Sequence, residues 1–131
     1  MSNKDFVFND VHENNYNVRG NESWECVLRP RIHERLNNAN KFILILSKNT
    51  HESWAINEEI DYGIGVLHLP VVEIYSEYNS IEDLLDDETA DYNSSVKKLW
   101  DRLPSFKKYI GKFDIQHLPM NREVLINSLR Q

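Results

Sequence analysis

Two short apolar runs joined by a helical segment constrain the fold of this chain more than any other feature. The first run is Phe42–Leu46, and the second covers residues 69–75. An apolar run without alternation is typical of a strand that is covered on both faces, as in a parallel sheet. Because residues 54–64 between the runs have helical spacing, the sequence predicts a right-handed βαβ unit.

The other predicted elements continue this alternation. They are a strand ending at Asp10, a loop at 11–21, a helix from Trp24 to Leu36 with Asn21 as its cap and a kink at Pro30, a helix ended by Pro104, a strand at 113–118 and a helix capped by Asn121. The β-α alternation predicts a doubly wound parallel α/β sheet of about four strands with helices on both faces. The 131 residues fit a single domain, 1–131.

The charge and composition exclude several classes of protein. A net charge of −6 disfavours non-specific electrostatic binding to nucleic acid or to an anionic membrane. No apolar run reaches the roughly 18 residues of a membrane span, and the polar start of the chain does not predict a signal peptide. The single cysteine, Cys26, suits a reducing cytoplasm.

An acidic segment, residues 82–91, carries the whole net charge. It holds six acids and no base, while the rest of the chain has 15 of each. The EF-hand spacing and its turn glycine are absent, so a solvated segment is favoured over a metal site. We expect this segment to be exposed and more mobile than the strands. The five histidines show no zinc-like spacing.

Polar residues follow two predicted strands at their ends. Asn9, Asp10 and His12 follow the first strand, and Ser47, Asn49, Thr50 and Trp54 follow the central one. Ligands of parallel sheets bind beyond the carboxyl ends of the strands, which makes these residues the candidate site. Glu58 and Glu59 lie on the helix just behind it.

Each of these residues also has a structural interpretation. Asn49 and Thr50 are expected to cap the helix rather than contact a ligand, and Trp54 is either a pocket wall or a core anchor. His12 is a lone histidine in a polar loop, which is more often a surface residue. Glu58 and Glu59 fit the solvated face of a helix, and Gly63-x-Gly65 fits a C-cap better than a phosphate loop.

Several short strings together resemble the TIR-like domain of the Thoeris anti-phage defence systems. They are Asn9-Asp10-x-His12, Arg35-Leu36-Asn37-Asn38, Phe42–Leu46, Asn49-Thr50, Ser53-Trp54 and Glu59-Ile60-x-Tyr62. The resemblance implies a flavodoxin-like fold. In active members it also implies cleavage of NAD+ to nicotinamide and an ADP-ribose-derived signal that activates a partner effector. NAD+ is then a substrate, and no cofactor is implied.

The resemblance implies a catalytic glutamate but leaves two candidates. The family places its glutamate four residues after the tryptophan, which is Glu58 here, whereas the string Glu-Ile-x-Tyr selects Glu59. We prefer Glu59 because that string is the longer match. Breaking the nicotinamide–ribose bond develops positive charge on the sugar, and a carboxylate facing that charge stabilises it most in a dry pocket.

Family members usually begin with a strand and helix that precede the segment starting here at Phe6. Without that unit, the strands beginning at Phe6 and Lys41 are expected either to pair directly or to leave an open edge. We therefore expect self-association or marginal stability, and poor NAD+ cleavage. The alternative function is a non-catalytic TIR-like module that binds a nucleotide or assembles through its surfaces.

Overall fold

The computed structural model describes the backbone of residues 6–10 and residues 28–130. In this part of the chain the strands are β1 (Phe6–Asp10), β2 (Lys41–Leu46), β3 (Val71–Tyr75) and β4 (Ile115–Pro119). The helices are α1 (Arg29–Asn37), α2 (Trp54–Ile60), α3 (Ile81–Leu84), α4 (Ser94–Trp100), α5 (Pro104–Lys107) and α6 (Arg122–Leu129). The predicted loop at 11–21 and the cap at Asn21 lie outside the described residues.

The four strands form one open sheet in the order β1-β2-β3-β4, and every neighbouring pair is parallel. Phe6 lies opposite Lys41, so β1 and β2 pair directly. The sequence left two possibilities for these strands, direct pairing or an open edge beside β2. The structure shows direct pairing.

Apolar side chains cover both faces of the sheet. Phe42, Leu44 and Leu46 of β2 belong to the larger core, which α1, α2, α4 and α5 cover. Ile43 and Ile45 belong to a smaller core, against which Val124, Leu125 and Leu129 of α6 pack. The five apolar side chains of β2, Phe42–Leu46, are all buried, which explains why this strand shows no alternation. The fold is thus flavodoxin-like α/β, as predicted.

The described helix α1 begins just before Pro30, which lies in its first turn. A proline is tolerated there because the first backbone N–H groups of a helix have no intrahelical partner. The predicted stretch from Trp24 to Val27 lies outside the described residues, so the kink at Pro30 stays a prediction. The predicted end at the asparagine cluster is confirmed, since α1 ends at Asn37.

The helix α2 continues as a π-helical segment, Asp61–Val66. Gly63 and Gly65 lie inside this segment, so their interpretation as a C-cap is wrong. A Cβ on Gly65 would lie 2.4 Å from Oη of Tyr109. Glycine is present here because a neighbouring side chain approaches the backbone closely.

The acidic segment combines the short helix α3 with a turn. Of its six acids, five are exposed and Asp86 is half-buried, so its predicted exposure is confirmed. Among the described residues no group of three His, Cys, Asp or Glu side chains converges as a metal site. Its mobility stays a prediction.

The last helix begins as predicted. The Asn121 side chain accepts hydrogen bonds from the backbone N–H groups of Glu123 and Val124, which satisfies two of the free donors at the start of α6. None of the helices in the described ranges is long and apolar enough to cross a membrane.

Candidate functional site

The carboxyl edge of the sheet brings the first two groups of candidate residues to one place. Asn9 and Asp10 end β1 opposite Leu44 and Ile45 of β2, and Ser47 follows β2 directly. The parallel pairing of β1 and β2 is what aligns these ends. His12 and the side chains of Asn9 and Asp10 lie outside the described residues.

The turn after β2 is held together by its own hydroxyl groups. The Ser47 N–H donates to Oγ1 of Thr50 at 2.9 Å, and the Asn49 N–H donates to Oγ of Ser47 at 3.0 Å. Ser47 and Thr50 are buried, whereas Asn49 is exposed. The two hydroxyls therefore shape the turn, and Asn49 is presented at its tip.

Ser53, rather than Asn49 or Thr50, caps α2. Its Oγ accepts a hydrogen bond from the backbone N–H of Ile56 at 3.1 Å, and its backbone is extended, as a cap requires. The predicted capping role of Asn49 and Thr50 is wrong. The turn closed by Ser47 and Thr50 ends before the helix starts, and residues 51–53 follow it. The cap Ser53 therefore lies three residues after Thr50.

Trp54 is the most exposed large apolar side chain in the described part of the protein, at 76%. Its interpretation as a core anchor is therefore wrong. It is the first residue of α2, directly after the Ser53 cap and the loop that follows the carboxyl end of β2. The alternative role, as one wall of a ligand pocket, stays a prediction.

Glu59 is fully buried between α2 and α1. Its Oε1 accepts a hydrogen bond from Nη2 of Arg35 at 2.6 Å. The interpretation of Glu59 as part of a solvated helix face is wrong, because α1 covers it. A buried carboxylate in this position depends on its cationic partner.

Glu58 forms a second, more open polar cluster on the same helix pair. Its Oε2 lies 2.5 Å from Nε2 of His33 and 3.3 Å from Nε of Arg29. The His33 ring stacks on Tyr62 with centroids 3.7 Å apart. Both candidate glutamates are thus held by bases of α1. The i, i+4 spacing of Arg29 and His33 was a sequence signal for the partners of Glu58, whereas the position of Arg35 does not share that spacing.

Sequence analysis also missed a polar cluster inside the larger core. Glu73 is completely buried in β3, and neither of its carboxyl oxygens has a hydrogen-bond partner. Burial raises the pKa of Glu73 well above its ordinary value; the backbone N–H of Ile74 opposes this shift without forming a hydrogen bond. The sequence signal for this cluster was the single acid, Glu73, inside the apolar run at residues 69–75.

On the neighbouring strand, His117 lies directly opposite Glu73. Nδ1 of His117 is 2.6 Å from Oη of Tyr75, and Nε1 of Trp100 donates to the same Oη at 2.7 Å. Burial lowers the pKa of His117 to about 4. The imidazole is therefore neutral at physiological pH.

A comparison with protein families identifies the family of this chain and shows which of the residues described above lie within the matched segment. Residues 1–81 match the model of the family described as "Thoeris protein ThsB, TIR-like domain". The chain belongs to this family. The match spans β1 to β3 of the TIR-like fold and contains every residue of the candidate site, from Asn9 to Glu59. The Glu73–Tyr75 part of the interior cluster falls inside the match, whereas Trp100 and His117 fall outside it.

Proposed function

We propose that this TIR-like protein of the Thoeris family cleaves NAD+ to nicotinamide and an ADP-ribose-derived signal, with Glu59 as the central carboxylate. The observation that carries the proposal is the position of Glu59. It is a buried carboxylate, fixed by Arg35 at 2.6 Å, on the helix that follows the carboxyl-edge turn of β2. The family match covers this segment.

The proposed chemistry needs one fixed negative charge. Nicotinamide leaves as a neutral molecule from a cationic pyridinium, so no acid has to protonate it. The ribose carbon gains positive charge as the bond breaks, as in glycoside hydrolysis. A preorganised carboxylate shielded from water stabilises that charge more than the same group in water does.

The remaining candidates have supporting roles in this proposal. Trp54 offers an exposed indole on which the nicotinamide or adenine ring stacks. Asn49 presents its side chain at the tip of the turn, while Ser47 and Thr50 hold the turn in shape. Asn9, Asp10 and His12 stay candidates for ligand contact on the grounds of the sequence alone.

A second candidate function is a non-catalytic TIR-like module that binds a nucleotide. The observation in its favour is that Glu59 is fully enclosed and that Arg35 occupies its Oε1. A buried carboxylate paired with a partly exposed arginine is also what a purely structural glutamate makes. In that case the pair joins α1 to α2 and takes no part in chemistry.

Nicotinamide release from NAD+ by the purified chain separates the two candidates. We expect Glu59→Gln to lower turnover by about 100-fold or more, the usual effect of removing one preorganised charge-stabilising group. Glu58→Gln is expected to have a smaller effect. The opposite ranking would identify Glu58 as the central carboxylate, and equal turnover in both variants and the wild type would contradict the catalytic proposal.

Arg35→Gln controls for structure, because it removes the same ion pair while keeping the Glu59 carboxyl group. Arg35→Gln should lose at least as much thermal stability as Glu59→Gln, because it leaves the buried carboxylate without this partner. At a temperature where both are folded, a catalytic Glu59 makes Glu59→Gln the slower enzyme. Glu123→Gln, the same chemical change on the distant helix α6, should match the wild type. If the wild type releases no nicotinamide but binds NAD+ in calorimetry, the second function holds.

The partners follow from the same proposal. The substrate is NAD+ or a related nucleotide, the product signal activates an effector protein, and the chain self-associates through TIR surfaces. We place this activity in the cytoplasm, where NAD+ is available, and propose no nucleic-acid or membrane partner.

A further inference from the structure

A cavity of about 450 Å³ lies beside β4, far along the chain from the candidate site. Its volume falls within the roughly 300–1,000 Å³ of small-molecule pockets. It lies among α4, the segment after α5, and β4, and its walls include Tyr92, Lys97, Trp100, Phe113, Ile115 and His117. All of these residues lie beyond the family match, which ends at residue 81.

Aromatic rings dominate the inner wall of this cavity. The rings of Tyr92 and His117 have centroids 4.6 Å apart, and Trp100 lies 5.8 Å from His117 and 5.9 Å from Tyr92. A planar ligand can therefore make stacked or edge-to-face contacts with several of these rings. The apolar part of the wall is completed by Ile110, Phe113 and Ile115.

The hydrogen bonds behind the wall fix the tautomer of His117. Nε1 of Trp100 can only donate, so Oη of Tyr75 accepts from it. Tyr75 is fully buried, and its hydroxyl hydrogen is satisfied when it donates to Nδ1 of His117 at 2.6 Å. Nδ1 is then the acceptor of the ring, and the proton of the neutral imidazole resides on Nε2.

Nε2–H of His117 is consequently a hydrogen-bond donor on a residue that lines the cavity. Within the described ranges, His117 makes no hydrogen bond beyond the one to Tyr75. In the described ranges, two side-chain N or O atoms are fully buried and lack a hydrogen-bond partner, and both are carboxyl oxygens of Glu73. Nε2 of His117 is not among them, so it is not fully buried. Nε2 is therefore accessible from the cavity that His117 lines.

Charges at the cavity rim exclude anionic guests. Lys97 is paired with Asp91 at 2.6 Å, and Asp114 adds a further negative charge to the lining. A phosphate group would meet this excess of negative charge, and Lys97, the cation among the lining residues, is already engaged. Like charges brought together in this way weaken binding.

We propose that this cavity binds a small, uncharged, planar heteroaromatic molecule whose ring nitrogen or carbonyl oxygen accepts a hydrogen bond from Nε2–H of His117. The ring lies against Tyr92 and Trp100. A nucleobase, a nucleoside or a pyridine carboxamide has this chemistry. The site is separate from the NAD+ site proposed above and does not depend on it.

The test is an NMR titration of the full chain with nicotinamide, adenosine, AMP and acetamide. Before any addition, the ring ¹⁵N signals of His117 should show Nε2 protonated and Nδ1 unprotonated. Nicotinamide or adenosine should shift these signals and the indole N–H signal of Trp100 in a saturable way. AMP should bind several-fold more weakly than adenosine, and acetamide, which lacks the ring, should not bind measurably.

Three variants test the assignment. His117→Phe keeps an aromatic ring but removes the donor, and should weaken binding about three- to tenfold, the range expected for one hydrogen bond. Ile115→Phe fills the cavity without touching the donor, so it should abolish binding even if His117→Phe proves unstable. Lys98→Gln changes an exposed residue of α4 outside the lining and should leave affinity unchanged.

The proposal is overturned if neither nicotinamide nor adenosine saturates up to about 10 mM, a limit that corresponds to negligible affinity. Binding that survives both His117→Phe and Ile115→Phe would also overturn it, because the ligand would then lie elsewhere. AMP binding more tightly than adenosine would contradict the role given to the rim charges.

Discussion

At the scale of single residues, Glu73 is a buried carboxyl group whose surroundings favour the neutral form by raising its pKa. The unfolded chain ionises this group near the ordinary pKa of 4.5, whereas the folded chain resists ionisation because the group is buried. The stability associated with burying the neutral acid is therefore fully present below about pH 4.5. It is lost as the pH rises toward the folded pKa.

We predict that Glu73→Met stabilises the protein at pH 7 by about 1 to 3 kcal/mol, the usual cost of a buried polar group without a partner. Urea unfolding at pH 7 and at pH 4.5 measures the effect, and the gain should shrink at the lower pH. Glu123→Met, an exposed change on α6, should alter stability by less than about 0.5 kcal/mol. A less stable Glu73→Met protein at pH 7 would show that the carboxyl group has a role its surroundings do not reveal.

His117 gives the opposite pH dependence. Burial lowers the pKa of His117 to about 4. As the pH falls, this imidazole is therefore protonated near pH 6.5 in the unfolded chain but only near pH 4 in the folded chain. Stability from the neutral imidazole is present above pH 6.5 and is lost as the pH falls toward 4. The full effect is roughly 3 kcal/mol.

We predict that His117→Gln removes this loss, so the difference in unfolding free energy between pH 7 and pH 4.5 becomes smaller than in the wild type. The groups packed around His117 are Tyr75, Tyr92 and Trp100, with Glu73 opposite it and the Asp91–Lys97 pair at the rim. They are present in both proteins, so the comparison isolates the imidazole. His51→Gln, on an exposed histidine, serves as the control; an unchanged pH dependence in His117→Gln would contradict the prediction.

At the scale of elements, the π-helical segment Asp61–Val66 is fitted to Tyr109. The Tyr109 hydroxyl donates to Oδ1 of Asp61 at 2.9 Å and passes beside Gly65, where a Cβ would lie 2.4 Å from it. Real Cβ atoms do not approach oxygen so closely, and the tyrosine would have to leave its hydrogen bond to make room.

We predict that Gly65→Ala destabilises the protein by about 1 to 3 kcal/mol, as overpacking does, despite the better helix propensity of alanine. In a Tyr109→Phe background the clashing oxygen is gone, and the same change should cost little or become favourable. A double-mutant cycle in urea measures this coupling. Additive effects would mean that the segment shifts away from Tyr109 at no cost.

The sequence predicted the elements whose signal is local, and missed the features that depend on packing. Phe42–Leu46 has an unbroken apolar run because both faces of β2 are buried, and Asn121 sits directly before its helix, so both were predictable. The cap at Ser53 depends on an extra turn closed by Ser47 and Thr50. The burial of Glu59 depends on where α1 lies, and the Tyr75–His117 contact joins two strands; neither is visible in one segment.

At the scale of the whole molecule, β1 and β4 are the outermost strands of the described sheet. In the described sheet β1 pairs only with β2, and β4 pairs only with β3. Strand edges of this kind can pair with a second chain, although Pro119 removes one donor from β4. The net charge of −6 opposes such contacts at low salt.

We predict that the purified chain self-associates in sedimentation velocity at micromolar concentration, and more strongly as salt screens its negative charge. Gln116→Lys places a charge on the exposed edge of β4 and should weaken association. Asn127→Lys, the same change in charge on exposed α6, should have less effect. A concentration-independent monomer at every salt concentration would contradict this prediction.

The simple strand order has a consequence for how the protein is made. Each strand pairs with the strand that precedes it along the chain, so a ribosome releases each new strand toward a partner that is already available. The sheet can therefore grow by addition at one side during synthesis. The β4 strand is the last of the four described strands and brings His117 to Tyr75, so the aromatic cavity forms after the β1–β3 segment that matches the family, and α6 follows it.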